Sequence, residues 1–195
     1  MTGPKETAWS DFLAALEEQE GPQGIDVLTA ITAEVPGSAV ASGRARLLDA
    51  VASGGRLWRF DEKVAALLDI TREAARQLLD LLDTTAIWEH PMPGVSIYWV
   101  TGGPRVEGAL CGFLRISPGM RFPEHEHLGD ETVLVLQGGM LDPDTGTVVR
   151  PGEYDQRKIG TSHVVAVPEG GVDLLMLAVV FDGLSVHGIR ITPKR

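Results

Sequence analysis

The sequence predicts an α+β chain, helical over residues 1–90 and all-β over residues 91–195. Three observations carry this. Up to Asp83, apolar residues recur every three or four positions; beyond it, short β-branched and aromatic runs are punctuated by Gly and Pro. The chain has 195 residues and is 44% apolar, enough for one medium core and a smaller helical layer.

The first predicted helix carries Trp9, Phe12, Leu13 and Leu16 behind a cap at Ser10, and Gly21, Pro22 and Gly24 end it. A second apolar set, Ile25, Leu28, Ile31 and Val35, stops at Pro36-Gly37. A third helix is expected over 43–51, ended by Ser53-Gly54-Gly55. Asp61 is the expected cap of a run with Val64, Leu67 and Leu68. Thr71 is the expected cap of another with Ala75, Leu78, Leu79 and Leu82. Residues 86–94 read as a connecting segment. Strands are expected over 95–101, 109–116, 132–136, 147–150, 162–167, 174–181 and 186–191. Many short strands with Gly and Pro turns mean a sandwich or a barrel.

The formal net charge of −10 and the pI of about 4.9 argue against nucleic acid and anionic membrane as partners. The longest apolar strand, Leu174 to Phe181, is far shorter than the ~18 residues of a membrane span. The first residues, MTGPKETAWSDF, show no apolar signal region, so a cytoplasmic location is expected. Cys111 is the one cysteine, which excludes an internal disulfide and a multi-cysteine zinc site. It lies in an apolar strand and reads as an inert buried thiol.

The chemistry concentrates in PGMRFPEHEHLGDETVLVLQGG, Pro118 to Gly139. Pro123 disfavours helix, so His125 and His127 lie on an extended segment. Period two then puts both imidazoles on one face and Glu126 on the other. Gly129-Asp130 allows a turn that brings Glu131 back over the same point. Glu131 precedes Val133 and Val135, so its charge sits at the mouth of a core, where a cation would offset the burial cost. A further ligand must come from another strand. His163, after the turn Gly160-Thr161-Ser162, is the choice; His90 and His187 read as exposed or otherwise satisfied histidines.

Gly119, His125, His127, Glu131 and Gly138 have the spacing of the first cupin motif, which they resemble in full. Gly152, Gly160 and His163 match the second motif. Lys158 stands where that pattern prefers proline, and Val167 where it prefers asparagine. The resemblance implies a double-stranded β-helix, the jelly-roll barrel of cupins, with one divalent metal ion on His125, His127, Glu131 and His163. A closer resemblance is to ChrR-type cupins, the C-terminal sensor domains of a class of anti-sigma factors. PEHEHLGDETVLVLQGG, PGEY, GTSH and the helical run RFDEKVAALLDITREAARQLLDLL carry it, over most of residues 56–181. It implies zinc and a stress-sensing role coupled to transcription. The His-xxx-Cys-xx-Cys motif with which such factors hold a sigma factor is missing, because no cysteine or histidine precedes His90. Sigma binding is therefore not carried over with the barrel.

The helix pair around Asp69-Ile70-Thr71 also has the outline of a helix-turn-helix, with Arg72 and Arg76 toward DNA. The balanced charge of that segment favours a packed hairpin instead. Arg115, Tyr154 and Gln156 are polar residues whose facing the sequence leaves open. The favoured function is a metal-dependent sensor or regulatory module, with a sigma factor or other protein as partner, a small molecule in the barrel, and a homo-oligomeric state. The rival is a metal-dependent dioxygenase or isomerase acting on a small molecule. A third reading is structural, with the helices mediating dimerisation. Zinc is favoured, and iron, manganese and nickel fit the same mixed ligands.

Overall fold

The computed structural model describes residues 55–193. The helices expected before residue 55 lie outside the described residues. Two α-helices are described, α1 (Asp61–Leu68) and α2 (Arg72–Leu81). Twelve strands follow: β1 (Glu89–Met92), β2 (Val95–Val100), β3 (Ala109–Ile116), β4 (Arg121–His127), β5 (Glu131–Gln137), β6 (Met140–Asp142), β7 (Thr147–Val149), β8 (Tyr154–Arg157), β9 (Ser162–Ala166), β10 (Leu174–Phe181), β11 (Leu184–Val186) and β12 (Ile189–Ile191). They form two antiparallel sheets, β1-β2-β3-β10-β5-β8 and β12-β11-β4-β9-β6-β7. This is the double-sheet barrel expected from the sequence. Among the described residues no helix is long and apolar enough to cross a membrane.

β10 is apolar along its whole length because both of its faces are covered. Leu174, Met176, Ala178 and Val180 face the barrel interior together with Val133, Val135 and Ile116. Leu175, Leu177 and Val179 face the opposite way and pack with Phe113, Leu134 and Leu136 against Val64, Leu68, Ala75, Leu79 and Leu82 of the helical hairpin. Period two thus yields two cores, one inside the barrel and one beneath the helices.

The hairpin turns at Asp69, whose φ is 56°. Thr71 caps α2 as expected, its Oγ1 accepting from the Ala74 amide at 3.2 Å. Asp61 is not a cap. It is the first residue of α1, and its buried carboxylate accepts from Arg72 at 2.8 Å and Arg76 at 2.6 Å. Two guanidiniums offer it stronger, charge-assisted partners than its own helix amides do. Both arginines thereby help to close the hairpin.

Several short elements differ from expectation. The connecting segment contains β1, an edge strand that accommodates Pro91 because one of its sides lacks a strand partner. The single strand expected over 186–191 is a hairpin, β11 and β12. It turns at His187 (φ 48°) and Gly188 (φ 82°), two consecutive left-handed residues that suit a two-residue hairpin loop. β6 and β8 were not expected. Arg115 points away from the barrel mouth: its Nη2 donates to the Leu82 carbonyl at 2.6 Å and its guanidinium covers Trp88. Tyr154 and Gln156 are exposed.

Candidate metal centre

β4 and β9 pair so that His125 and His163 are direct cross-strand neighbours. The register of this pair shifts between Phe122 and His125, where Pro123 removes a ladder donor and the strand bulges. His127, two residues on, shares the inward face, while Glu126 is exposed. Glu131 arrives from the other sheet, at the start of β5, beside Val180 of β10 and Arg157 of β8. The four side chains therefore converge from both sheets, each buried, at 0% exposure for His127 and 3–6% for the others. His90 and His187 are exposed and elsewhere; His90 Nδ1 pairs with Ser96 Oγ at 2.9 Å.

The imidazoles are oriented from behind. His125 Nδ1 donates to the Pro123 carbonyl at 2.9 Å, and His127 Nδ1 to the Thr161 carbonyl at 2.8 Å, with Thr161 Oγ1 at 3.1 Å. The Thr161 hydroxyl itself donates to the Lys158 carbonyl. A proton held at Nδ1 leaves the Nε2 lone pair for the centre, as metal-binding histidines require. His163 Nδ1 is buried and has no protein hydrogen-bond partner among the described residues.

The donor set fits a cation. His127 Nε2 lies 3.0 Å from Glu131 Oε2, His163 Nε2 lies 3.8 Å from the same oxygen, and the Nε2 atoms of His125 and His163 are 3.1 Å apart. Donors about 2.0–2.1 Å from one tetrahedral ion sit roughly 3.3 Å from each other, in the middle of these separations. One donor atom from each residue falls within 4.8 Å of all the others. Two imidazole lone pairs 3.1 Å apart repel unless a proton or a cation lies between them. The protonated alternative is disfavoured at neutral pH. Burial brings the pKa of His125 down to about 4, against the favourable charge of Glu131. Burial, followed by the charge of Arg157, brings that of His163 down to about 4. Burial also opposes the charged form of His127, but the hydrogen bond and charge of Glu131, with the Thr161 carbonyl, outweigh it and raise its pKa.

The surrounding turns explain the motif glycines and the departures from the pattern. Gly119, Gly138, Gly152 and Gly160 all have φ between 73° and 90°, the left-handed region. At Gly138 a Cβ would also lie 2.8 Å from the Asp173 carbonyl. Lys158, in place of proline, ties the β8–β9 turn to Asp130 at 2.6 Å, and the Ile159 amide reaches the same carboxylate. Val167, in place of asparagine, is a buried core residue. Cys111 is buried, its thiol pushed up to about 11 by burial.

Sequence reasoning missed three contributors. Thr161 was read as a turn residue, although its place two residues before His163 was the available signal. Arg157, paired with Asp142 and Asp155, sets the field behind His163. The third is a cavity of about 40 Å³. Its wall is Trp99, Phe122, Val133, Val165, Met176 and neighbouring apolar residues, and His125, Glu131 and His163 face it.

No curated protein matches the chain. Among solved structures, a cupin resembling RmlC from Ralstonia eutropha matches at 24% identity and a TM-score of 0.45, covering 51% of this chain. This chain spans 65% of that one, just under two thirds. The Rhodobacter sphaeroides anti-sigma factor ChrR, crystallised in complex with SigE, matches at 22% identity and a TM-score of 0.45, over 87% of this chain and 75% of that one. An acetylacetone dioxygenase from Acinetobacter johnsonii matches at 16% identity and a TM-score of 0.43, over 56% and 74%. The family model described as the ChrR cupin-like domain matches residues 80–180, which is 101 of the 195 residues, and the chain accordingly belongs to that family.

Proposed function

We propose that the chain is a metal-binding regulatory module that holds one divalent ion, zinc in the favoured reading, on His125, His127, Glu131 and His163. The observation that carries this is the convergence of three imidazole nitrogens and one carboxylate in a buried site, with two of the imidazoles oriented by carbonyls behind them. Four protein donors suffice to close a tetrahedral site, which suits sensing or structure rather than turnover. Membership of the ChrR cupin-like family supports a link to transcription control through a protein partner, for which a sigma factor is the first candidate.

The test is capture of a sigma factor by full-length protein, with zinc and after chelation. Metal-dependent capture, or metal-dependent release, is the expected result. Binding that ignores the metal would separate the barrel from any partner, and no binding at all would remove the sigma factor.

A second reading, a metal-dependent enzyme acting on a small molecule, is favoured by one observation: three of the four donors face the apolar cavity. Cobalt(II)-substituted protein separates the two. Intense tetrahedral visible bands support the closed site; weak octahedral bands that respond to azide support an open one.

A further inference from the structure

His127 and Glu131 meet at the centre, with Nε2 and Oε2 3.0 Å apart, and they are also joined on the side away from it. The Thr161 carbonyl accepts from the His127 amide at 3.0 Å and from its Nδ1 at 2.8 Å, while the Gly160 amide donates to the His127 carbonyl at 2.8 Å. His127 is thus bracketed by one turn, Lys158 to Thr161, which joins β8 to β9. That turn is closed on itself. The Thr161 amide and hydroxyl both donate to the Lys158 carbonyl, at 3.1 Å and 2.6 Å. The turn is tied in its turn to Asp130, which accepts from Lys158 Nζ at 2.6 Å and from the Ile159 amide at 3.3 Å. Asp130 is the residue before Glu131. The contacts therefore close a ring from Glu131 through His127, Thr161, Lys158 and Asp130, and back along the chain to Glu131.

The ring runs from buried to exposed. His127 and Glu131 are buried, whereas the side chains of Lys158 and Asp130 are 78% and 50% exposed. Two donors that share one ion are held together by links that do not involve the ion, and opening a link frees the His127 ring to turn. The Lys158–Asp130 pair is the link that water and dissolved salt reach, so it is the weakest of them. Lys158, where the motif prefers proline, supplies a charge that a proline side chain lacks. We propose that Lys158 and Thr161 are positioning residues of the centre, and that the exposed Lys158–Asp130 pair sets how firmly His127 is held and how fast the ion leaves. This rests on the metal reading above, so one of the two readouts is taken without metal.

The first readout is exchange of the His127 Nδ1 proton with water, followed by NMR in chelated full-length protein. Thr161→Val keeps the carbonyl and removes the hydroxyl, and should speed exchange by about 10-fold. Lys158→Met should speed it by about 2- to 5-fold, and Thr161→Ser and Lys158→Arg should restore the wild-type rate. The second readout is transfer of zinc from loaded full-length protein to an excess of chelator, in which the variants should fall in the same order. Raising sodium nitrate from about 0.05 M to about 0.5 M should speed release from wild type and leave Lys158→Met unchanged. Chelated Lys158→Met should melt as wild type does, since an exposed pair contributes little to stability. Wild-type exchange and release in both Lys158→Met and Thr161→Val overturn the proposal. So does acceleration that follows a lowered melting temperature and is not reversed by Lys158→Arg. Protein that takes up no zinc overturns the metal reading and the release rate with it, while exchange of the His127 proton still decides whether the two residues position the ring.

Discussion

His125 and His163 are held neutral by burial, each with a pKa of about 4 against an ordinary value near 6.5. In metal-free protein the unfolded chain therefore binds more protons at these two positions between about pH 6.5 and 4. Their contribution to stability is complete above the unfolded value and is lost as the pH falls through that window. His127 acts in the opposite sense: its raised pKa contributes stability at low pH that is lost as the pH rises through its folded value. Two groups against one leave the metal-free protein less stable in acid. Its melting temperature should be lower at pH 5 than at pH 7, and His125→Gln combined with His163→Gln should remove most of that slope. A melting temperature independent of pH over this interval in the metal-free protein would contradict the assignment. Glu131 supplies the one negative charge among the four donors. Glu131→Gln keeps its size and an oxygen but removes that charge, which offsets half of a divalent ion's, so zinc affinity measured by competition should fall by about 10- to 100-fold or more.

At the scale of elements, the turns carry information that burial does not. Gly138 combines φ 73° with a Cβ position 2.8 Å from the Asp173 carbonyl, whereas Gly170 has φ 71° and open space around it. Gly170→Ala should cost about 1 kcal/mol, the backbone term alone. Gly138→Ala should cost more, about 2–3 kcal/mol, because a carbonyl must also move. Chemical denaturation of the two variants checks the difference, and equal costs would mean that the close approach is relieved without strain. The same scale shows what was legible in the sequence. β3 and β10 have their expected bounds because they are long, apolar and set between turn residues. The convergence of His125, His127, Glu131 and His163 was legible because it follows from period two, one tight turn and one strand start. β1, β6 and β8 were not, being short edge or near-edge strands with Pro91, Asp142 or the polar sequence YDQR, which lack an alternating apolar pattern. Asp61 misled because an acid in the first turn looks the same whether it caps its own helix or pairs with the next. The cavity was illegible, since the strand registers decide which face of β3 and β10 lines it.

At the scale of the molecule, the helical hairpin and the barrel share a core through the outer face of β10, β3 and β5. Arg56 reinforces that contact, reaching Asp83 at 2.7 Å and Gln137 of β5 at 2.6 Å. Events at the centre and at the hairpin therefore meet in the same strands. β10 presents Met176, Ala178 and Val180 to the inner core and Leu175, Leu177 and Val179 to the helices. In the regulatory reading this two-faced sheet lies between the ion and the surface a partner would meet. A bound ion also stabilises the fold by mass action, so chelation should lower the melting temperature of the whole described unit.

The proposed function depends on the centre holding an ion, and elemental analysis of full-length protein purified without added metal tests that most directly. The expected content is about one first-row divalent metal per chain, lost in His125→Ala and in His163→Ala and retained in His90→Ala and His187→Ala. Folded protein that arrives metal-free and takes up no zinc, iron, manganese or nickel would contradict the account. So would metal that survives His163→Ala but not His187→Ala.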